Sequence, residues 1–336
     1  MHKKILTLLL IVALPLVATG SKRSDDIRVL IATSVSLAEA TKVTADKNGI
    51  ITFRGRNYKG KLQFYDDGKG ALSAVNVIPM EEYLIGLVAS EMPKDWPIEA
   101  LHAQAVVARS YALFQKNAKK DGGSASIYDI ESSTIDQVYG GVLKDDARVR
   151  TAVESTNGEV VTYHRKLLKT FFHSTCGGET ESAANVWGEK GQPPAVKDPY
   201  CVKISPHAAW KYQLTENELV ARLRKAGFSA NAIKNIQIDT KKDGLRAAVV
   251  TINTDRQMIA LQSNDFRKIV GFKDLKSTWF SVNKKNGVFI FNGRGYGHGA
   301  GMCQWGAKGM AEAGKNYKEM LKFYYPGTKI EKKSKK

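Results

Sequence analysis

Glycine stands at every second position from Gly293 to Gly301, in the segment NGRGYGHGAGMCQWGAKGM. Glycine lets the backbone approach a neighbouring group closely, and the residues between these glycines are Arg294, Tyr296, His298 and Ala300. The stretch therefore indicates either a bulged strand that leads into a tight turn, or a loop that lies against a polar, ring-shaped ligand.

A nucleotide is a poor candidate for that ligand. Gly295, Gly297 and Ala300 spell G-x-G-x-x-A after the apolar run VFIFN, as in a dinucleotide-binding loop. However, the following helix leads only to a second short helix and a lysine-rich tail. No strand completes a βαβ unit, and no Lys-Ser/Thr pair follows the glycines as a P-loop requires.

The first twenty residues, MHKKILTLLLIVALPLVATG, are typical of a secretory signal peptide. They combine a basic start, an apolar run from Ile5 to Ala18 and small residues where a peptidase cuts. The apolar run is shorter than the roughly 20 residues that span a bilayer. We expect export to the periplasm, cell wall or medium, and contact with the membrane only through this segment where it stays uncleaved.

The chain is strongly basic, with a formal charge of +18, of which two lysines lie in residues 1–20. Such a charge indicates a polyanion or an anionic surface as partner, unless the lysines are only a solvated coat. Because the protein is expected outside the cytosol, we predict cell wall, polysaccharide or lipid as the partner, and not nucleic acid.

The pattern of segments predicts an α+β fold. Residues 1–20 are the signal peptide, 21–78 a β-rich leader, 79–209 with 285–330 the core, 210–284 a smaller α+β subdomain, and 331–336 a basic tail. In the core, two helices meet at a corner between Met92 and Trp96. A C-terminal helix is expected after a capping box formed by Asn316 and Glu319.

Glu91 lies in the apolar stripe of the first of these two helices. It follows Leu84, Leu87 and Val88 by seven, four and three residues, so all four share one face. Desolvation and the negative end of the helix dipole both predict a raised pKa for its carboxyl group. A carboxylic acid of this kind suits the general acid that protonates the leaving oxygen of a glycosidic bond.

Arg109 lies on an apolar face of the next helix, and Gln104 and Tyr111 flank the same region. An inward arginine needs a carboxylate or a polar ligand. A structural ion pair between Glu91 and Arg109 is the alternative, and it predicts a lowered pKa for Glu91 instead of a raised one.

Four motifs of this chain resemble the stage II sporulation protein D family, also called SpoIID/LytB. They are YLIGLVASEMPKDWPIEALHAQAVVARSYAL (83–113), DQVYGG (136–141), FHSTCGGETESAANVWG (172–188) and GRGYGHGAGMCQWGAKGMAEAGKNYKEMLKFYYPGTKI (293–330). The resemblance implies a SpoIID-like fold and a lytic transglycosylase acting on peptidoglycan, in some members on strands stripped of stem peptides. Related amidase enhancers imply the alternative, a non-catalytic wall-binding module that activates an amidase.

The resemblance implies that Glu91 is the catalytic acid and base and that Arg109 orients the substrate or sets the charge state. No second carboxylate is required, because the C6 hydroxyl of the muramyl sugar attacks its own anomeric carbon. The residues expected to bind the sugars lie in the same motifs: Gln104, Tyr111, Gln137, Tyr139, His173, Ser174, Gly177, Gly178, Thr180, Tyr296, His298, Gln304 and Trp305.

The chain has three cysteines, Cys176, Cys201 and Cys303. In an exported protein three thiols leave either one disulfide and a free thiol, or a joint role in metal binding. A Zn²⁺ site would take three thiolates and one imidazole, from His173 or His207. We expect any such zinc to be structural, because transglycosylation by a glutamic acid requires no cofactor.

Overall fold

The computed structural model describes residues 10–11, 25–122, 126–133, 136–142, 147–241 and 244–333. The predicted signal peptide lies outside these residues except for Leu10 and Ile11, and so do the last three residues of the predicted basic tail. Among the described residues, no helix is long and apolar enough to cross a membrane.

The chain divides into two compact units, and the predicted α+β fold class is confirmed. The first unit comprises residues 1–169 and 330–336, and the second comprises residues 170–329. The domain boundaries expected from the sequence lie at other positions and stay a prediction.

A five-stranded sheet forms the β part of the first unit. Its strands are β1 (Leu10–Ile11), β2 (Asp26–Val35), β5 (Lys61–Asp66), β6 (Leu72–Pro79) and β7 (Ile130–Glu131), in the order β1-β5-β6-β2-β7. Neighbouring strands are antiparallel, except for the parallel pair β2 and β7. A separate hairpin consists of β3 (Ile51–Phe53) and β4 (Arg56–Tyr58).

Four helices belong to the same unit: α1 (Leu37–Ala40), α2 (Met80–Glu91), α3 (Ile98–Asp121) and α4 (Ala147–Ser155). The predicted corner is confirmed, because α2 ends at Glu91 and Pro97 directly precedes α3. Met92 and Trp96 are buried within this corner. A small sheet of order β18-β8-β9 joins β8 (Glu159–Tyr163) and β9 (Lys166–Leu167) to the last strand, β18 (Lys329–Lys332).

Two three-stranded antiparallel sheets build much of the second unit. One has the order β11-β16-β15, with β11 (Trp210–Thr215), β15 (Phe280–Lys285) and β16 (Val288–Gly293). The other consists of β12 (Ile233–Thr240), β13 (Ala247–Thr254) and β14 (Met258–Gln262). The helices α7 (Glu216–Lys225) and α8 (Ser263–Val270) share one hydrophobic core with them, centred on Phe266, Phe289 and Phe291.

The remaining elements of the second unit are short strands and helices, two of which include cysteines. The strands β10 (Phe172–His173) and β17 (Met302–Cys303) pair in parallel. The helices are α5 (Ala183–Trp187), α6 (Cys201–Ile204), α9 (Gln304–Glu312) and α10 (Tyr317–Tyr324). The capping box predicted at Asn316 and Glu319 is confirmed, since each accepts a backbone N–H of the other.

Candidate active site and cysteine cluster

Glu91 is the last residue of α2, and its side chain is half-buried. Leu84, Leu87 and Val88, which share its face of the helix, are fully buried. The backbone N–H of Val138 donates a hydrogen bond of 2.9 Å to Oε1 of Glu91. The carboxylate is therefore held at the end of a helix that is anchored in the core. The raised pKa expected for Glu91 stays a prediction.

Val138 belongs to the segment 136–141, DQVYGG, which we call the strap. The strap is fixed by its buried side chains: Tyr83 donates a hydrogen bond of 2.8 Å to Oε1 of Gln137, and Tyr139 donates one of 3.1 Å to Asn76. Burial raises the pKa of Tyr83 well above its usual value, with a smaller contribution from Glu91, so this hydroxyl stays a donor. The strap thus places the Val138 N–H rigidly against Glu91.

Direct backbone packing brings the strap onto α2. A Cβ added at Gly86 would lie 2.3 Å from the carbonyl oxygen of Gly141 and 2.9 Å from the ring of Tyr139. The N–H of Gly140 also donates to the hydroxyl of Ser90 at 3.3 Å. Only glycine fits at position 86, and this close approach sets the distance between strap and helix.

Arg109 does not pair with Glu91, which corrects the alternative considered from the sequence. Its guanidinium donates to both oxygens of Glu81, at 2.9 and 2.7 Å, and to the carbonyls of Glu159 and Val153, each at 3.2 Å. The side chain is 1% exposed. Arg109 therefore joins the first turn of α2 to α4 and β8.

Four other side chains of this unit that were expected to bind sugars lie inside the unit. Gln104 is fully buried, Gln137 and Tyr139 are 1% exposed and Tyr111 is 6% exposed. Tyr111 donates a hydrogen bond of 2.9 Å to Asp136, the first residue of the strap. Tyr111, Gln137 and Tyr139 thus hold the strap and through it Glu91.

The glycine row of the second unit makes room for protein and not for a ligand. A Cβ at Gly301 would lie 1.9 Å from the carbonyl oxygen of Phe171, and one at Gly299 would lie 2.2 Å from Nε of Arg246. Tyr296 and Thr175 exchange two backbone hydrogen bonds, of 2.8 and 3.0 Å. The row therefore packs against residues 171–176.

The side chains expected to bind sugars in the second unit fall into two groups. His173, Gly177, Thr180 and Gln304 are buried. Ser174, Gly178, Tyr296, His298 and Trp305 are partly exposed.

His298 lies beside an exposed aromatic ring. Its ring centroid is 4.7 Å from that of Trp187, which is 43% exposed, and 5.5 Å from that of His173. Burial, together with the charges of Arg246 and Arg267, lowers the pKa of His298 to about 3. Burial also lowers the pKa of His173, whose Nδ1 donates to the carbonyl of Ala300 at 3.1 Å. Both rings are therefore neutral near pH 7.

The three cysteines gather around a carboxylate. The thiols of Cys176, Cys201 and Cys303 and a carboxylate oxygen of Asp198 all lie within 4.8 Å of one another, and all four residues are buried. The thiols are free. The fourth residue of this cluster is therefore Asp198, and not His173 or His207 as expected from the sequence. Nδ1 of His173 is engaged with a carbonyl, and Nδ1 of His207 lies 3.4 Å from the ammonium group of Lys276.

Backbone N–H groups and helix ends favour negative charge at this cluster. Cys201 begins α6, and Cys303 caps α9 and accepts the N–H of Gly306 at 3.3 Å. The N–H of Gly178 donates to the sulfur of Cys176 at 3.3 Å. Hydrogen bonds from Cys176 and Cys303 lower the pKa of Cys201, whereas burial raises the pKa of Cys303 and of Asp198, so without a cation the negative charge is confined to part of the cluster. These features are typical of thiolates that bind a metal.

Asp198 is itself firmly oriented. Its Oδ1 accepts the N–H groups of Tyr200 and Cys201, each at 3.0 Å, and its Oδ2 accepts the hydroxyl of Tyr324 at 2.8 Å. A Cβ at Gly306 would lie 2.2 Å from Oδ2 of Asp198, so the helix α9 packs closely on this carboxylate. Three thiolates and one carboxylate are a donor set that suits tetrahedral Zn²⁺.

Comparison with known proteins places these features in a family. A family model described as stage II sporulation protein matches residues 68–163, which include α2, Glu91, α3 and the strap. Stage II sporulation protein D of Bacillus subtilis is 33% identical over 275 residues, which cover 77% of this chain and 76% of that protein. The chain belongs to the stage II sporulation protein D family. The resemblance seen in the four motifs is thereby confirmed.

Two further proteins and a second family model are also similar to this chain. An uncharacterized protein of Brachyspira hyodysenteriae is 38% identical over 312 residues, covering 87% of this chain and 79% of that protein. The amidase enhancer of Bacillus subtilis is 30% identical over 292 residues, covering 74% of this chain but only 40% of that protein. A second model, for a domain of unknown function, matches residues 205–301.

Sequence reasoning missed two residues that organise these sites. Glu81 is the partner of Arg109, although nothing in its sequence setting distinguishes it from an exposed residue at the start of a helix. Asp198 stands three residues before Cys201, in DPYC, and this spacing is the signal that would have found it. The fourth ligand expected from the sequence was a histidine, His173 or His207.

Proposed function

We propose that the protein is an exported lytic transglycosylase that cleaves the glycan strands of peptidoglycan in the bacterial cell wall. Glu91 is its single acid and base. The observation that carries the proposal is the hydrogen bond from the Val138 N–H to Oε1 of Glu91, made by a strap whose own side chains are locked in the core. Such support holds a catalytic group in one position before substrate binds.

The arrangement at Glu91 suits a reaction that needs one carboxyl group. Glu91 donates its proton to the glycosidic oxygen, and the bond between that oxygen and the anomeric carbon of the muramyl sugar breaks. The C6 hydroxyl of the same sugar attacks the anomeric carbon and gives its proton back to Glu91. The products are a free hydroxyl on the leaving sugar and a 1,6-anhydro ring, and no water is consumed.

Arg109 acts in this scheme as a positioning residue. By binding Glu81 it fixes the first turn of α2, while the strap fixes the last turn, so the helix presents Glu91 from a constant position. In the second unit, the partly exposed side chains Ser174, Tyr296, His298 and Trp305 remain our candidates for contacts with sugars.

The source of the attacking oxygen tests the mechanism. We expect glycan cleaved in water enriched with heavy oxygen to carry none of the label at its new muramyl ends, because the attack is intramolecular. Uptake of one labelled oxygen at each new end would show hydrolysis by water and would contradict the proposed chemistry.

A second candidate function rests on the amidase enhancer of Bacillus subtilis, whose name states an effect on an amidase. In that case the protein activates a wall amidase, and Glu91 is structural. Amidase rates measured with the unsubstituted protein and with Glu91→Gln distinguish the two. Equal stimulation by both, with no glycan cleavage by either, favours the activator.

We also propose that Cys176, Cys201, Cys303 and Asp198 hold a structural Zn²⁺. The four donor atoms lie within 4.8 Å of one another, and Asp198 is oriented by Tyr324. The ion would link the loop before α6 and the start of α9 to the segment after β10. Three free thiols form no such link. In this proposal it takes no part in catalysis.

A further inference from the structure

Val138 is the exposed apolar residue of the strap. It is 39% exposed, whereas the residues before and after it, Gln137 and Tyr139, are each 1% exposed. Successive side chains of an extended segment point to opposite sides, so the two buried neighbours direct the isopropyl group of Val138 outward. A single exposed valine is ordinary at a protein surface. This valine differs from others in what its backbone contacts.

The backbone N–H of Val138 places this side chain beside Glu91. The N–H donates a hydrogen bond of 2.9 Å to Oε1 of Glu91. Only two covalent bonds separate the nitrogen of Val138 from its Cβ, so this Cβ lies no more than about 5.4 Å from Oε1. The isopropyl group therefore belongs to the immediate surroundings of the carboxyl group, and it is exposed to whatever approaches that group from solvent.

The position of Val138 is fixed from both sides. Tyr83 donates a hydrogen bond of 2.8 Å to Gln137, and Tyr139 donates one of 3.1 Å to Asn76. All four of these side chains are buried. Because both neighbours of Val138 are locked in the core, its isopropyl group stays beside the carboxyl group when a substrate binds.

Val138 replaces water next to Glu91 in two ways. Its N–H donates to one carboxylate oxygen, a hydrogen bond that water would otherwise make. Its side chain is a hydrocarbon and has no donor or acceptor that could hold a water molecule near that oxygen. A sugar that binds at Glu91 therefore meets a carboxyl group that is dry on the side of the strap.

Exclusion of water matters because two nucleophiles compete in the proposed reaction. As the bond between the anomeric carbon and the leaving oxygen breaks, that carbon is attacked by the C6 hydroxyl of the same sugar or by water. In either case Glu91 accepts the proton of the attacking group. The C6 hydroxyl gives a 1,6-anhydro end. Water gives a reducing end that contains one oxygen atom from the solvent.

We propose that Val138 selects between these two nucleophiles: its isopropyl group contacts the muramyl sugar and excludes water from Glu91, so that only the C6 hydroxyl attacks. This inference rests on the proposed function, since it concerns the outcome of that reaction. Val138 supplies neither a proton nor a charge. It determines product specificity through its shape and its lack of polar atoms.

Substitutions that keep the backbone N–H of Val138 test the inference. Val138→Thr has nearly the same shape and adds a hydroxyl that can hold water, Val138→Ser also removes a methyl group, and Val138→Ile keeps the surface apolar. The matched control is Val202→Thr, at a valine of the second unit that is 40% exposed. Each purified protein cleaves amidase-stripped glycan in water enriched with heavy oxygen. Mass spectrometry then gives the share of new muramyl ends that carry the label.

We expect Val138→Thr to raise the share of labelled ends at least about fivefold above the background of the unsubstituted protein, since one added hydrogen bond to water changes relative rates by about this factor. Val138→Ser should give a larger share still. Val138→Ile and Val202→Thr should stay at background. The share is a ratio of products, so a partial loss of folded protein does not alter it.

Labelled ends at background in both Val138→Thr and Val138→Ser would overturn the inference, whatever the total rate of cleavage. Equal loss of all cleavage in the three Val138 variants would also overturn it, because Val138 would then support the strap and not select the nucleophile. The proposed function fails separately, through the absence of anhydro ends from the unsubstituted protein.

Discussion

The guanidinium of Arg109 donates to both carboxylate oxygens of Glu81, at 2.9 and 2.7 Å, although 28 residues separate them in the chain. Arg109 is 1% exposed, whereas Glu81 is 29% exposed. The pair locks the first turn of α2 to α3, and two backbone carbonyls complete the arginine's hydrogen bonds.

Removal of the carboxylate by Glu81→Gln leaves a buried guanidinium without its counter-charge. We expect the free energy of unfolding to fall by about 3 kcal/mol, as when one partner of a buried ion pair is lost. Urea unfolding measures the change. Glu154→Gln, which removes an exposed partner of Arg150, should cost less than about 1 kcal/mol. Equal costs for the two variants would contradict a structural role for Glu81 and Arg109.

Gly86→Ala should lower the rate of glycan cleavage by more than the loss of folded protein accounts for. The added methyl group would meet the carbonyl of Gly141 at 2.3 Å, so the strap must move away from α2 and carry the Val138 N–H from Glu91. The overpacking should cost about 1–3 kcal/mol. Cleavage rates and melting temperatures are compared with those of Gly122→Ala, where the nearest atom is 3.2 Å away. Full activity in Gly86→Ala would show that the strap does not position Glu91.

Stability should decrease as the pH is lowered from about 6.5 towards 3. An unfolded histidine takes up a proton near pH 6.5, whereas burial keeps His298 neutral in the folded protein until about pH 3. Between these values the unfolded state binds the extra proton, so acidification favours unfolding. Urea unfolding across this range should show a shallower pH dependence for His298→Gln than for the unsubstituted protein. His164→Asn, at an exposed histidine, is the control for the loss of a histidine at the surface.

Chelation should lower the melting temperature of the protein if Cys176, Cys201, Cys303 and Asp198 hold zinc. Free zinc at a hundred times its Kd stabilises a folded protein by about 2.7 kcal/mol, and removal of the ion reverses this. Elemental analysis should find one zinc per chain, and cobalt substitution should give thiolate-to-metal absorption bands. Asp198→Asn should weaken both signals and Lys197→Gln should not. A protein that contains no zinc and melts at the same temperature with chelator would contradict the proposal.

Local features of this fold were readable from the sequence, because their causes lie within a few residues. Helix α2 follows from its apolar periodicity, and α10 begins at the capping box expected from Asn316 and Glu319. The inward face of Glu91 follows from the same periodicity. In these cases neighbouring residues alone determine the structure.

Features that depend on distant contacts were not readable. The glycine row indicated a close approach correctly but not what approaches, because residues 171–176 come from another part of the chain. The side chains of Gln137 and Tyr139 looked like sugar contacts, yet the positions that bury them are set by Tyr83 and Asn76. Polar residues in a motif can bind substrate or support the residue that does, and spacing alone does not distinguish the two.

The central claim is that Glu91 is the acid and base of a lytic transglycosylase, and product masses test it most directly. Three proteins without residues 1–20 are each incubated with amidase-stripped glycan: the unsubstituted chain, Glu91→Gln and the control Glu154→Gln. We expect fragments with 1,6-anhydromuramyl ends from the unsubstituted protein and from Glu154→Gln, and none from Glu91→Gln. Anhydro fragments from Glu91→Gln at an undiminished rate, or none from any of the three while all still bind the glycan, would contradict the claim.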